Sequence, residues 1–262
     1  MKNFNKKTLI AVLAIVVILA IIAIAGKNSS MKSVANNFDL SLDKKNDEPL
    51  TDTTFALDTF ITVTIYHGGD ENVLKDSLDF IRKYEMVFSA TNPDAELYKL
   101  NHRGKGVMSV KASEDLAYLI DKALYYSKVS NGAFDITTQP LKELWDFNTD
   151  DPKLPSDESI KEALPKVDYT RVSVDGDTIN FTSDDTQIDL GAIAKGYIAD
   201  KTKEFLKSKG VDSAIINLGG NVLCIGKKPD GQNFTIGLQK PYADRNETVA
   251  LLTVDDESVV SS

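Results

Sequence analysis

Apolar and polar positions alternate along this chain in ways that predict most of its elements. Leu9 to Ala25 is an unbroken apolar run behind Lys2, Lys6 and Lys7. It lies at the short limit for a membrane-spanning helix and is long for a signal-peptide core. The basic flank places everything after Gly26 outside the cytoplasm, so residues 1–26 are expected to form an uncleaved anchor. Ala23-Ile24-Ala25 also fits a small-residue cleavage site, and no cysteine follows to carry a lipid. Residues 27–53 are polar, with Asn36-Asn37 and Lys44-Lys45-Asn46-Asp47-Glu48-Pro49, and read as a flexible tether. Folded structure is expected from Thr54 to the end.

Within 54–262, Phe55 to Tyr66 reads as one strand, with Ile61, Val63 and Ile65 on one face and Thr62 and Thr64 on the other. His67-Gly68-Gly69 turns the chain. Leu74, Leu78, Ile81 and Met86 mark an amphipathic helix; Leu116, Leu119, Ile120, Ala123 and Leu124 mark another, capped by Ser113. Pro152 to Pro165 is a charged, proline-bounded helix or loop. Short β runs surround Asp175-Gly176. Ala194, Ile198, Thr202, Phe205 and Leu206 recur at helical spacing, and Gly210 supplies a C-terminal cap. Val211 to Asn217 reads as a strand broken by Gly219-Gly220. Val222–Ile225 and Phe234–Leu238 are expected to pair as a hairpin around Pro229-Asp230-Gly231. Strands and helices mix without regular alternation, so the expected class is α+β, with mixed or antiparallel sheets and packed helices.

Composition narrows the chemistry. The 262 residues are 42% hydrophobic and 26% charged, enough for one or two ordinary cores. A net charge of −9 argues against nucleic acid, whose phosphates demand a basic face. The single cysteine, Cys224, lies in an apolar strand pattern and reads as core, so an exported domain here folds without disulfides. His67 and His102 have no zinc-ligand spacing, and the phosphate-loop, dinucleotide and zinc-protease motifs are absent.

Three clusters remain. The first, Ile188-Asp189-Leu190-Gly191-Ala192-Ile193-Ala194-Lys195-Gly196-Tyr197, runs from an expected strand end through a carboxylate and a glycine into a helix. Free N–H groups at that helix start, with Lys195, suit a phosphate, and Asp189 suits a hard cation that holds one. Equally, Asp189 is a common helix cap and Lys195 a solvated lysine. The second cluster is Ser130 to Leu141. Gly132 and Ala133 leave room for a ligand, Phe134 offers an aromatic face and Asp135 an acceptor. Read as structure alone, Phe134 is core and Asp135 caps a helix starting near Thr137. The third, Asn217-Leu218-Gly219-Gly220-Asn221, reads first as a turn with positive φ.

Together with Leu57-Asp58-Thr59-Phe60, Phe88-Ser89, Glu96-Leu97, Leu100-Asn101 and Leu144-Trp145-Asp146-Phe147, and with Asp200 after the first cluster, these stretches resemble the FAD:protein FMN transferases, the ApbE-type flavin transferases. The resemblance runs in order from about residue 54 to the end. It implies Mg²⁺-dependent transfer of FMN from FAD to a Ser or Thr hydroxyl of an acceptor protein, with AMP leaving. Ala133, Phe134 and Asp135 match the family's flavin-contacting loop, and Asp189 and Lys195 match FAD-binding positions. Ala192 matches a position whose backbone oxygen ligates the metal. Leu57 and Thr91 align with further FAD contacts, although those positions usually hold other residues. The family pattern continues past the glycine pair with a T-S-G segment, an H-x-x-D-P motif and an Asp-rich helix of metal ligands. This sequence ends at Val259-Val260-Ser261-Ser262, so a fragment or early-terminated product with weak or no transfer activity is expected. The leading expectation is a membrane-anchored, outward-facing transferase serving exported flavoproteins. The alternatives are an FAD-binding protein and a metal-dependent FAD hydrolase.

Overall fold

The structure, a computed structural model, describes residues 48–145, 154–243 and 247–261. The apolar run 9–25 and most of the stretch read as a tether lie outside the described residues, as do Asp146-Phe147. Among the described residues no helix is long and apolar enough to cross a membrane.

The central sheet has five strands in the order β1 (Leu50–Ala56), β2 (Thr59–His67), β6 (Ser213–Leu218), β7 (Asn221–Ile225) and β10 (Ser258–Val260). All its pairs are antiparallel. Strand β1 thus already takes in Leu50 to Thr53, inside the stretch read as tether. The run Phe55–Tyr66 is also two strands rather than one: Ala56 pairs with Thr59, and Leu57 and Asp58 both take positive φ (54° and 57°). A two-residue hairpin turn needs that backbone to match the strand twist. It is normally built from Asn-Gly, so Leu-Asp gave no turn signal. Register leaves Ile61, Val63 and Ile65 fully buried, with Thr62 and Thr64 opposite, as expected.

The buried face of this sheet carries two long helices, α1 (Glu71–Phe88) and α6 (Gly191–Ser208). Asp70 caps α1, its carboxylate accepting the Val73 N–H at 2.9 Å. Leu74, Leu78, Ile81, Tyr84 and Phe88 face the core, whereas Met86 is 44% exposed. At about 100° per residue Met86 stands roughly 140° around the helix from Ile81, off the buried stripe. The end of α6 is a Schellman turn: Val211 N–H donates to Leu206 O and Gly210 N–H to Lys207 O, with Gly210 at φ +89°. Between the long helices in sequence come α2 (Glu96–Asn101), β3 (Ser109–Lys111), α3 (Glu114–Val129, capped by Ser113), α4 (Gln139–Lys142) and α5 (Asp157–Ala163).

Strands β4 (Val172–Asp175) and β5 (Thr178–Phe181) form the hairpin read around Asp175-Gly176 and extend with β3 into a three-stranded sheet. The predicted pairing of 222–225 with 234–238 is wrong. Although the 228–232 turn forms, β7 pairs with β6 and β10, while β8 (Phe234–Gln239) pairs with β9 (Thr248–Val254). The glycine turn brings β7 straight back along β6, leaving β8 to seek another partner. Phe234 and Val254 then bury Cys224 in a small second core with Tyr66 and Ile215. Burial pushes the Cys224 thiol up to about 11, consistent with a core residue rather than a nucleophile. The class is α+β, as expected.

Candidate active site

One cleft gathers several of the sequence-predicted residues. Its rim is the β1–β2 turn, Leu57 and Asp58, and its wall is the end of α1 with the Ser89–Thr91 bend. Its floor is the start of α6, with Asp189, Gly191 and Lys195, and Lys142 from the end of α4 closes the ring. Leu57, Thr91, Asp189 and Lys195, separate in sequence, therefore line one cavity of ≈ 160 Å³. The Ser89 hydroxyl shapes the wall, accepting the Asn92 N–H at 3.0 Å.

Asp189 does not leave a strand, as the pattern suggested. Residues 183–190 have no regular ladder, and Leu190 is the residue flanking α6. Asp189 Oδ1 accepts the Gly191 N–H at 2.9 Å, and Oδ2 meets Lys142 Nζ at 2.5 Å. The Ile193 and Ala194 N–H groups turn back to Leu190 O. Much of the donor set imagined as free at this helix start is thus satisfied within the chain. What the cleft offers an anion is side-chain charge: Lys195, which makes no ion pair among the described residues, and Lys142, which Asp189 partly neutralises. Lys142 carried no sequence signal, since its proximity to Asp189 arises only in three dimensions.

Ala133, Phe134 and Asp135 do not line this cleft. Their loop is built by Asn131 (φ +53°) and Gly132 (φ +79°), with the Phe134 N–H donated to Ser130 Oγ at 3.0 Å. Phe134 packs against the main core. Asp135 Oδ1 accepts the Thr137 N–H at 2.7 Å and its hydroxyl at 2.6 Å, while Oδ2 accepts the Tyr169 N–H at 2.9 Å. Asp135 therefore ties two loops together and does not cap α4, whose flanking residue is Thr138. The loop still reaches the cleft through its backbone: Ile136 O accepts the Asp189 N–H at 2.8 Å.

The glycine cluster is a tight hairpin turn, Gly219 at φ +62° and Gly220 at +95°. A Cβ on Gly219 would stand 2.2 Å from Thr59 Oγ1, so only glycine lets this turn lie against the cleft-rim hairpin. Asn221 faces Gly196 on α6. Behind the cleft, Tyr84 and Phe88 stack in parallel, Tyr197 meets both edge to face, and the Tyr197 hydroxyl donates to Asp115 Oδ1 at 2.5 Å. Burial pushes the Tyr84 phenol up to about 12 and raises Tyr197 as well, so both serve as neutral packing. Ala192 is exposed in the first turn of α6. Among the described residues no three His, Cys, Asp or Glu side chains converge as metal ligands.

The scaffold is of one class with solved ApbE structures. The ApbE protein of Thermotoga maritima aligns with TM-score 0.73 at 26% identity, covering 80% of this chain and 69% of that one. The flavinyl transferase ApbE of Pseudomonas stutzeri aligns with TM-score 0.69 at 25% identity, covering 80% and 66%. An FAD:protein FMN transferase of Klebsiella pneumoniae is 33% identical over 198 residues, 75% of this chain and 60% of its own length. One of Treponema pallidum is 30% identical over 204 residues, 72% and 56%. The chain therefore spans little more than half the length of the curated relatives it matches. The ApbE family model matches residues 57–262, and the chain belongs to that family.

Proposed function

We propose that the protein acts on FAD as a flavin transferase. The hydroxyl of a Ser or Thr on an exported acceptor protein gives its proton to solvent and attacks the FMN phosphorus. A phosphoester forms, the pyrophosphate bond breaks and AMP leaves. The observation that carries this reading is the convergence of Leu57, Thr91, Asp189 and Lys195 on one cleft, supported by the names of the curated relatives. Lys195 holds the pyrophosphate charge, and the Lys142–Asp189 pair fixes the floor against which it lies. Asp135 acts indirectly, by holding the loop whose Ile136 carbonyl receives Asp189.

Mg²⁺, with the Ala192 carbonyl among its ligands, belongs to this proposal as the ion that would neutralise the leaving phosphate. The described residues do not by themselves fit it: one carbonyl is far from a near-octahedral shell, and no carboxylate cluster completes it. No step above is therefore routed through the metal. The apolar run Leu9–Ala25 behind three lysines supports a single-pass anchor with the domain outside the cytoplasm.

The test is to incubate the protein with FAD, Mg²⁺ and a candidate acceptor. The expected result is protein-bound flavin fluorescence on the acceptor and AMP released only when the acceptor is present. Acceptor-independent AMP release would replace the transferase with an FAD hydrolase. Binding without cleavage would leave an FAD-binding protein.

A further inference from the structure

The stretch that delivers Asp189 to the cleft lies outside every ladder of the fold, yet Ile188 and Leu190 are fully buried within it. Buried backbone without a strand partner must find its hydrogen bonds elsewhere. It finds them in α2. Asn101, the last residue of that helix and itself 94% buried, accepts the Ile188 N–H on Oδ1 at 2.7 Å and donates from Nδ2 to Ile188 O at 2.8 Å. One carboxamide thus satisfies both polar groups of one residue, as a neighbouring strand would. The next N–H along, that of Asp189, goes to Ile136 O. Upstream, the Arg103 guanidinium donates to Thr186 O and Ser183 O, each at 2.9 Å, and lies 3.5 Å over the Phe181 ring.

We infer that Asn101 is a positioning residue for the cleft: it touches neither Lys142 nor Lys195, and by fixing the Ile188 peptide it sets where Asp189 places its two oxygens. The clamp stands on geometry alone; its functional half rests on the flavin reading proposed above. A carboxamide is the side chain for the task because it holds one donor and one acceptor side by side. An ionised carboxylate would turn a lone pair toward Ile188 O, and an apolar residue would leave two buried backbone groups unmade.

The experiment compares Asn101→Ala and Asn101→Asp with Leu97→Ala, a deletion from the buried side of the same helix. Two quantities are read on the full chain: amide-exchange protection at Asp189 and Gly191, and FAD affinity by flavin fluorescence. Asn101→Ala should lower protection at both amides and weaken FAD binding, each by about tenfold, while Leu97→Ala leaves both within about twofold in the folded protein. Asn101→Asp supplies a signature that general destabilisation does not produce, and serves if the alanine variant fails to fold. A protonated carboxyl again holds one donor and one acceptor, so protection and affinity should return toward the parent's as pH falls from about 8 to about 5, the introduced group's pKa being raised by burial. Unchanged protection in Asn101→Ala, or no pH-dependent recovery in Asn101→Asp, overturns the clamp. Lowered protection with unchanged FAD affinity overturns its service to the site. A parent chain that does not bind FAD overturns the flavin reading instead, and the exchange data still decide the clamp.

Discussion

Two carboxylates, Asp135 and Asp189, sit in loops ahead of a helix, each within three residues of a glycine, yet the fold gives them opposite work. Asp135 is ringed by its own chain's donors: the Thr137 amide, the Thr137 hydroxyl and the Tyr169 amide fill both oxygens. Asp189 meets one amide, from Gly191, and turns its other oxygen to Lys142 at the cleft, its side chain still 14% exposed. Backbone donors decide the difference. Where the chain wraps a carboxylate in N–H groups it becomes a structural knot; where the chain leaves one oxygen to a lysine it remains available to a ligand's surroundings.

The widest separation between the two should appear in stability. Asp135→Ala leaves three inward donors unmatched, which costs about 3 kcal/mol and lowers Tm by roughly 6–12 °C for a domain of this size. Thermal unfolding checks it, and a normal Tm with weakened FAD binding would make Asp135 a direct contact after all. Thr137→Val is the milder version. It removes the hydroxyl that donates to Asp135 and accepts the Asp168 N–H at 2.7 Å, and should cost about 1.5 kcal/mol with FAD affinity nearly intact.

On the cleft side the order reverses, with binding affected and stability spared. Lys195→Ala should weaken FAD binding about tenfold and flatten its salt dependence, with Tm unchanged, because a cation with no ion pair among the described residues acts at full charge on an anion. Titrations at two ionic strengths decide this. Lys142→Ala should cost only about threefold, since Asp189 already offsets that charge and the pair is partly solvated. Equal losses for the two lysines would mean that the ion pair opens when ligand arrives.

Much of the scaffold was legible because periodicity and caps are local. Ile61, Val63 and Ile65, the stripe of α3 behind Ser113 and the Gly210 stop of α6 all sit where spacing put them. What escaped was non-local or chemically disguised. The Leu57-Asp58 turn lacks the Gly or Asn its backbone normally demands. The partner of β8 lies beyond the turn that seemed to supply one. In the site, Asp189 and Lys195 were visible as a strand-like entry into a helix, but Lys142, 47 residues away, was not. Asn101 stood out as part of a matching stretch, yet nothing local shows that its amide holds a backbone 87 residues distant.

The far end of α6 bears on the cleft as a hinge pin bears on a long door. Gly68 after β2 lies so close to Gly210 that a Cβ there would stand 2.1 Å from the Gly210 carbonyl oxygen, backbone against backbone. Lys195 stands thirteen residues up the rod from Ser208, about 20 Å at the helical rise. A tilt of about 3° at the pinned end would swing the lysine by roughly 1 Å, an error of the size that disables a positioned group. Aim at the cleft is therefore set partly where no ligand goes, by two residues whose contribution is to have no side chain.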